Sequence, residues 1–135
     1  MSHMVLADTG PLYALADPSD QFHARAAYEL KRLQGEQFDV ATAHAILMEA
    51  YSLILRRLGL RRSQIWLKQT CSGVGLINPT PEDCLDAIRV IDAFVDQRLT
   101  LFDGLLAVLS RRLALPVWTF DRHFELMRAR VWRPD

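Results

Sequence analysis

Met4-Val5-Leu6-Ala7 is a short apolar run that stops at Asp8 and is followed by Thr9-Gly10-Pro11. A run of that length bounded by a turn signal predicts a buried strand, and a proline just after a threonine suits the first turn of a helix. The chain thus opens strand, carboxylate, helix. Asp20 is placed to cap a second helix reaching about Leu33, with Ala26, Ala27, Leu30 and Leu33 on one face and Gly35 as its stop. Phe38 to Thr42 predicts a second strand. From Ala43 to Leu58 nearly every position is apolar until the pair Arg56-Arg57, and Gly59 ends the run. A helix apolar all round is expected to be buried on most sides, in the core or against a partner.

A further helix is predicted from Arg61 to about Ser72, then a third strand at Val74-Gly75-Leu76-Ile77 that stops at Asn78-Pro79. Thr80, with Pro81 first and Asp83 third in the helix, marks a start that runs through Val95, with Leu85, Ile88, Ile91 and Val95 expected on the core side. Thr100 or Phe102 opens the next helix, carrying Leu105, Leu106, Val108, Leu109 and Leu113 until Pro116 forbids continuation. Val117-Trp118-Thr119-Phe120 predicts a fourth strand ending at Asp121, and Val131-Trp132 a short fifth. Strands alternating with helices predict an α/β fold, a parallel sheet of four to five strands with helices on both faces. No repeat, low-complexity tract or linker interrupts the pattern, so residues 1–135 read as a single domain.

Composition narrows the classes. Half of the 135 residues are apolar and the formal net charge is zero, which excludes bulk disorder and a globally basic nucleic-acid binder. No uninterrupted apolar run approaches the ~18 residues of a membrane span, and no secretory signal pattern stands at the N-terminus. Cys71 and Cys84 lack a CxxC partner or a His at zinc spacing, and so read as reduced, structural thiols of a cytoplasmic protein. Ser2-His3-Met4 has the form of a cloning scar, with residues 1–3 then foreign and Met4 the natural start.

The zero net charge hides a strong polarity. Between Ala50 and Pro81 there is no acid, while Arg56, Arg57, Arg61, Arg62 and Lys68 supply five positive charges; Glu82 to Asp96 then holds five acids against Arg89 alone. Of the 16 cationic residues 14 are Arg, the side chain whose planar fork grips phosphate through two hydrogen bonds. Such runs also occur as ordinary solvated helix faces.

Four acids carry the chemistry. Asp8 and Asp121 each terminate a predicted strand, where open parallel sheets bind ligands, although a single such Asp serves equally as a helix cap or turn former. Glu49 interrupts the apolar run Ala45 to Leu55 and needs an Arg, a hydrogen-bonding network, a metal, or an outlet to solvent beside Ser52. Asp103 sits in the first turn of an apolar helix, where it also compensates the helix dipole. A parallel sheet could converge all four. Carboxylates sharing a small volume call for a divalent cation, and an all-oxygen donor set favours Mg²⁺ or Mn²⁺, as in phosphodiesterases and phosphatases.

Val5-Leu6-Ala7-Asp8-Thr9, Leu47-Met48-Glu49-Ala50, Asp96 to Asp103, and Val117 to Phe124 resemble, in order and spacing, the four signature regions of PIN-domain ribonucleases, of the VapC type found as toxins of toxin–antitoxin pairs. The resemblance implies a three-layer αβα sandwich and an acidic pocket for one or two Mg²⁺ or Mn²⁺ ions. By motif position Asp8, Glu49, Asp103 and Asp121 would be the catalytic, metal-binding acids, Asp96 a fifth, and Thr9 and Thr119 supporting hydroxyls. Gly104 stands where the family commonly has Ala, and His44 where a proline or small residue is frequent. The activity implied is endoribonucleolytic hydrolysis of RNA by metal-activated water, with a cognate antitoxin and a homodimer as partners. Candidate RNA contacts are Arg56, Arg57 and Arg122, with Arg61, Arg62 and Arg128 behind them. The apolar helix Ala43–Leu58 and the side chains of Trp66 and Trp132, taken as exposed, are candidate protein contacts.

The alternatives are a catalytically weak PIN domain that acts by binding RNA or antitoxin, and other α/β classes. A haloacid-dehalogenase phosphatase wants a second Asp where Gly10 stands, and a receiver domain wants a phosphoacceptor Asp where the third strand ends in Asn78-Pro79. His23, His44 and His123 lack the mutual spacing of a metal-free ribonuclease dyad, so surface or capping roles are expected of them. With four of the 16 acids drawn into one pocket, the other 12 would face 16 cationic residues, a mildly basic shell.

Overall fold

A computed structural model describes residues 3–134. Residues 1 and 2 of the suspected scar lie outside that range, and His3 opens the first strand. In chain order the elements are β1 (His3–Ala7), α1 (Thr9–Ala16), α2 (His23–Gly35), β2 (Phe38–Ala43), α3 (His44–Leu58), α4 (Leu60–Gly73), β3 (Gly75–Ile77), α5 (Pro81–Ala93), α6 (Leu101–Leu113), β4 (Val117–Trp118) and α7 (His123–Leu126), with one tight helical turn at Val95–Gln97. The four strands form a parallel sheet in the order β3-β2-β1-β4. The expected fifth strand is a single parallel bridge between Val131 and Val117.

Val5, Leu6 and Ala7 are all fully buried, so both faces of β1 are covered by helices. That is why β1 reads as an unbroken apolar run rather than an alternating one. The chain builds β2 and β3 to one side of β1, then crosses back to place β4 on the other. The direction reverses at β1, whose carboxyl end is flanked by the ends of β2 and β4, the position where open parallel sheets bind ligands. Leu6 pairs with Val117 and Ala7 with Trp118, and the Asp8 N–H donates to the Trp118 carbonyl at 2.9 Å.

Several expectations are corrected by packing. Asp20 does not cap α2; its carboxylate accepts from the Phe22 N–H in a turn one step earlier, and α2 starts at His23 without a side-chain cap. Helix α3 is not buried all round: Ile46, Leu47, Ala50 and Ile54 face the core, while Met48 is 63% exposed. Trp66 and Trp132 are buried, not exposed, and both free cysteines lie on the surface, so they are not structural core thiols. The largest correction is the phase of α5. Leu85, Ile88 and Val95 face solvent, and the buried positions are Asp83 and Ala87. The helix has the expected period, but its more hydrophobic side, with Leu85 and Ile88, is the exposed one.

The α5 face is set by two contacts with α6. The Arg112 Nε and Nη2 donate to the two oxygens of the buried Asp83 carboxylate, both at 2.7 Å, and this pairing holds Asp83 below its ordinary pKa. One turn on, Ala87 meets Gly104, where an added Cβ would lie 2.9 Å from the Ala87 carbonyl oxygen and 2.9 Å from Ile91 Cγ2. Glycine at 104 is therefore a packing requirement of this helix pair. Both helices begin with a capping box, Thr80 with Asp83 and Thr100 with Asp103. The other departure from the family pattern, His44, sits at the start of α3 with Nδ1 3.2 Å from the Ile77 carbonyl, joining that helix to the end of β3.

Gly104→Ala is expected to destabilise the protein by about 1–2 kcal/mol, the overpacking cost exceeding the ~1 kcal/mol that Ala gains in helix propensity. Urea unfolding checks this, and an unchanged or raised midpoint would show that the helices part without cost.

Candidate active site

Asp8 leaves the end of β1 as the N-cap of α1. Its Oδ1 accepts the Thr9 N–H at 2.8 Å, so the capping role open to any strand-ending Asp is filled here. Its Oδ2 accepts the Thr119 hydroxyl at 2.8 Å, and Thr119 Oγ1 in turn accepts the Asp121 N–H at 2.9 Å. A chain of two hydrogen bonds thus joins the acid after β1 to the acid after β4. On the other flank the Thr9 hydroxyl donates to Glu49 Oε1, bringing the second turn of α3 to the start of α1. The Thr42 hydroxyl, fully buried, donates to the Ala7 carbonyl at 2.7 Å and locks β2 to β1 one residue before Asp8.

Asp103 enters from α6. One of its oxygens accepts the Thr100 N–H at 3.0 Å in the capping box, and its charge acts on both Asp8 and Glu49. Asp121 accepts the His123 N–H at 2.9 Å on Oδ1, with the His123 ring Nδ1 3.0 Å from the same oxygen. Asp8, Glu49, Asp103 and Asp121 therefore gather at the carboxyl edge of the sheet, with Thr9 and Thr119 between them. Asp96 does not join them: it is exposed in the Val95–Gln97 turn and, among the described residues, accepts only from Gln97 Nε2, at 3.2 Å. Arg57 packs its guanidinium 5.1 Å from the Tyr13 ring centroid, two turns of α3 beyond Glu49, and Arg56, Arg61, Arg62 and Arg128 are exposed. Of the candidate RNA contacts, Arg122 adjoins the acids, in a pocket shared with Asp121.

The electrostatics are those of an uncompensated anionic site. Asp8 is 8% exposed, and no cationic side chain among the described residues is paired with it. Burial, opposed by the Thr119 and Thr9 hydrogen bonds and reinforced by Asp103 and Asp121, pushes its carboxyl from 3.8 to about 7. Glu49 is raised by the same main cause, burial, with Thr9 opposing and Asp103 adding to it.

As the side chains stand, no three acids, His or Cys among the described residues are arranged to hold an ion. The donor chemistry nevertheless suits a hard divalent cation. Asp103, Asp121 and Glu49 each keep one carboxylate oxygen free of hydrogen bonds among the described residues, and Asp8 is a buried acid whose ionised form lacks a countercharge.

Two contributors were missed from the sequence although signals for them existed. Thr100-x-x-Asp103 repeats the capping-box spacing of Thr80-x-x-Asp83, and the Asp121-x-His123 spacing is that of an Asx turn. The contact from Thr42 had no local signal, because only strand pairing brings it to Ala7.

A parallel sheet flanked by helices, with carboxylates at its carboxyl edge and the chain reversing at β1, defines an α/β class with many members. The chain belongs to the PIN domain family, whose model matches residues 5–129. Its fold is that of VapC-type proteins. VapC20 of Mycobacterium tuberculosis, a toxin that cleaves the sarcin-ricin loop, is similar with a TM-score of 0.82 and 22% identity, covering 96% of this chain and 99% of that one. VapBC2 of Rickettsia felis, bound to a DNA fragment from its promoter, gives 0.74 and 12%, covering 96% and 99%. PAE2754 of Pyrobaculum aerophilum gives 0.64 and 25%, covering 94% and 87%. A search of curated protein sequences returns no match.

The raised Asp8 carboxyl has a stability consequence of definite sign. Well below 3.8 it is protonated in both folded and unfolded chains. Between its ordinary 3.8 and about 7 the unfolded chain releases the proton while the folded one retains it. Stability of the metal-free protein is expected to fall across that window by on the order of a few kcal/mol, then level off. Asp8→Asn should flatten the fall, as read from urea midpoints in a chelator at about pH 4 and about pH 7.5. A wild-type midpoint that rises over the same interval, with the variant tracking it, would contradict this reading of the site.

Proposed function

We propose that the protein is a metal-dependent endoribonuclease, the toxin of a toxin–antitoxin pair, acting as one PIN domain in the cytoplasm. The observation that carries this is the convergence of Asp8, Glu49, Asp103 and Asp121 on one edge of the sheet without a compensating cation. No helix among the described residues is long and apolar enough to cross a membrane, which is compatible with that location.

Asp8, Asp103 and Asp121 would hold Mg²⁺ or Mn²⁺, directly or through water, and Glu49 would complete the set or orient the attacking water. The cation supplies Lewis acidity toward the phosphodiester and lowers the pKa of water near it. The protein's own groups divide the remaining labour. Thr119 holds one Asp8 oxygen and ties its position to Asp121, and Thr9 does the same for Glu49. The capping box aims Asp103 into the site, and His123 restrains Asp121. These hydrogen bonds restrain each carboxylate, and binding a cation would require the side chains to turn toward one another. The active site alone would repel RNA; the Arg-rich remainder of the surface would supply attraction, mostly to phosphates and with little choice of sequence.

The VapBC2 neighbour supports an antitoxin as partner. An apolar groove of about 700 Å³, whose lining includes Leu12, Leu30, Ile65 and Trp66, is the surface assigned to an apolar segment of that antitoxin, with Arg62 available to an acidic residue on it. Homodimerisation belongs to the same proposal, supported by the outward-facing Leu85 and Ile88 of α5 and by Val95, which is 82% exposed. The reading as a catalytically weak RNA- or antitoxin-binding module has less support, because all four acids are present and gathered.

Purified protein is expected to cut single-stranded RNA in Mg²⁺ and to stop when a chelator is added. Asp8→Asn and Asp121→Asn should each lose about two orders of magnitude or more in rate while remaining folded by circular dichroism. Wild-type rates in both folded variants would overturn the assignment, and growth arrest on expression without the neighbouring antitoxin gene would bear on the toxin role.

A further inference from the structure

Next to the acids lies a small polar pocket of about 300 Å³, lined by Arg25, Thr119, Phe120, Asp121, Arg122 and Arg133. It shares Thr119 and Asp121 with the acidic site, so a ligand in one lies alongside a ligand in the other.

Arg25 is held in place from two sides. Its Nε donates to Glu29 Oε2 at 2.8 Å, and Glu29, buried on α2, also accepts from the Trp118 indole N–H at 2.8 Å. Its guanidinium carbon lies 4.4 Å from the centroid of the Phe120 ring, which packs in turn against Phe22 at 5.1 Å. One edge and one face of the guanidinium are thereby fixed, while neither Nη carries a hydrogen bond among the described residues. An arginine with its plane set and its outer fork open is arranged for bidentate contact with a phosphate. Arg122 has no side-chain partner among the described residues. Arg133 is different: it pairs with Glu125, which also lines the pocket, so those two cancel. Asp121 is the remaining acid, and it belongs to the cation site.

We propose that Arg25 and Arg122 form a subsite for the RNA phosphodiester next to the one being cut, positioning the strand so that the scissile group reaches the four acids. This rests on the ribonuclease reading above. It accounts for Glu29, a buried carboxylate outside the acidic site, as the group that sets the Arg25 plane. It also separates Arg25 and Arg122 from the Arg56 to Arg62 cluster as residues of the site itself.

The test is steady-state cleavage of a mixed-sequence single-stranded oligoribonucleotide in Mg²⁺ by wild type, Arg122→Ala, Arg25→Lys and Arg130→Ala, each checked by thermal melting. Arg130 lies by Pro116 at the other end of β4 and serves as a control of equal charge change. Arg122→Ala is expected to raise KM about tenfold with kcat nearly unchanged, and to reduce the slope of log(kcat/KM) against log salt by ~0.7, one single-strand phosphate contact. Arg25→Lys, which keeps charge but loses the fork and the ring contact, should raise KM severalfold, and Arg130→Ala should match wild type. Replacing the neighbouring linkage by an uncharged methylphosphonate should cost wild type at least about tenfold, since both arginines lose their partner, and should cost Arg122→Ala clearly less than it costs wild type. If wild type cuts RNA but the Arg25 and Arg122 variants match it, or the two losses multiply, the subsite is wrong and the nuclease reading stands. If wild type fails to cut RNA at all, the nuclease reading fails and the subsite falls with it.

Discussion

Asp8 is a buried carboxyl held by two hydrogen bonds and no cation, and the rest of the structure is arranged around keeping it there. A group in that position is costly when ionised, so a fold selected for stability alone would replace it with an amide or an apolar side chain. Instead β1 is covered on both faces, and Asp8, the residue that follows it, stays buried. The neighbouring strand end adds Thr119 and Asp121, and α3 and α6 add two further acids whose charges bear on the same space. Repulsion among these groups is carried by the sheet and by the α5–α6 pair, which hold them together without help from a positive side chain. Such stored electrostatic cost is what a divalent cation would relieve on binding.

The α5–α6 pair shows how the scaffold and the site are connected. Asp103 contributes to the site because α6 starts where it does, and α6 starts there because Thr100 and Asp103 cap one another. Its lateral position is set one residue later, at Gly104, where the backbone of α5 approaches too closely for any side chain. The Arg112–Asp83 pair fixes the other end of the same contact with good bidentate geometry and a buried acid. An acid in the site and a glycine in the packing interface are therefore neighbours in sequence for a physical reason: the same helix turn must face both.

Around the acids the surface divides by chemistry. The polar pocket with Arg25 and Arg122 adjoins the acids, the apolar groove is lined from α1, α2, β2 and α4, Leu12 and Trp66 included, and the outward row of α5 carries Leu85 and Ile88. These three regions differ in chemistry and share no lining residue: one is charged and polar, and the other two are mainly apolar. The neutral overall charge hides this division, since four acids are drawn to one edge while most of the arginines, Arg56, Arg57, Arg61 and Arg62 among them, stand away from it.

Local pattern in the sequence was enough for the alternation of strands and helices, for the Thr80–Asp83 helix start, and for singling out Asp8, Glu49, Asp103 and Asp121 as acids at unusual positions, because each depends on a few consecutive residues. The strand-ending positions of Asp8 and Asp121 and the misplaced polarity of Glu49 could be read without knowing any contact. The face of α5 could not, because Leu85 and Ile88 are more hydrophobic than Asp83 and Ala87; what reverses the choice is Arg112, 29 residues away, and the close approach at Gly104. The exclusion of Asp96 from the acidic site, the burial of Trp66 and Trp132, and the seating of Arg25 between Glu29 and Phe120 were likewise decided by tertiary packing. Residue types and their local periodicity are properties of short windows of chain. Which face turns inward, and which acids share a field, depend on partners distant in sequence that only the completed sheet and its helices bring together.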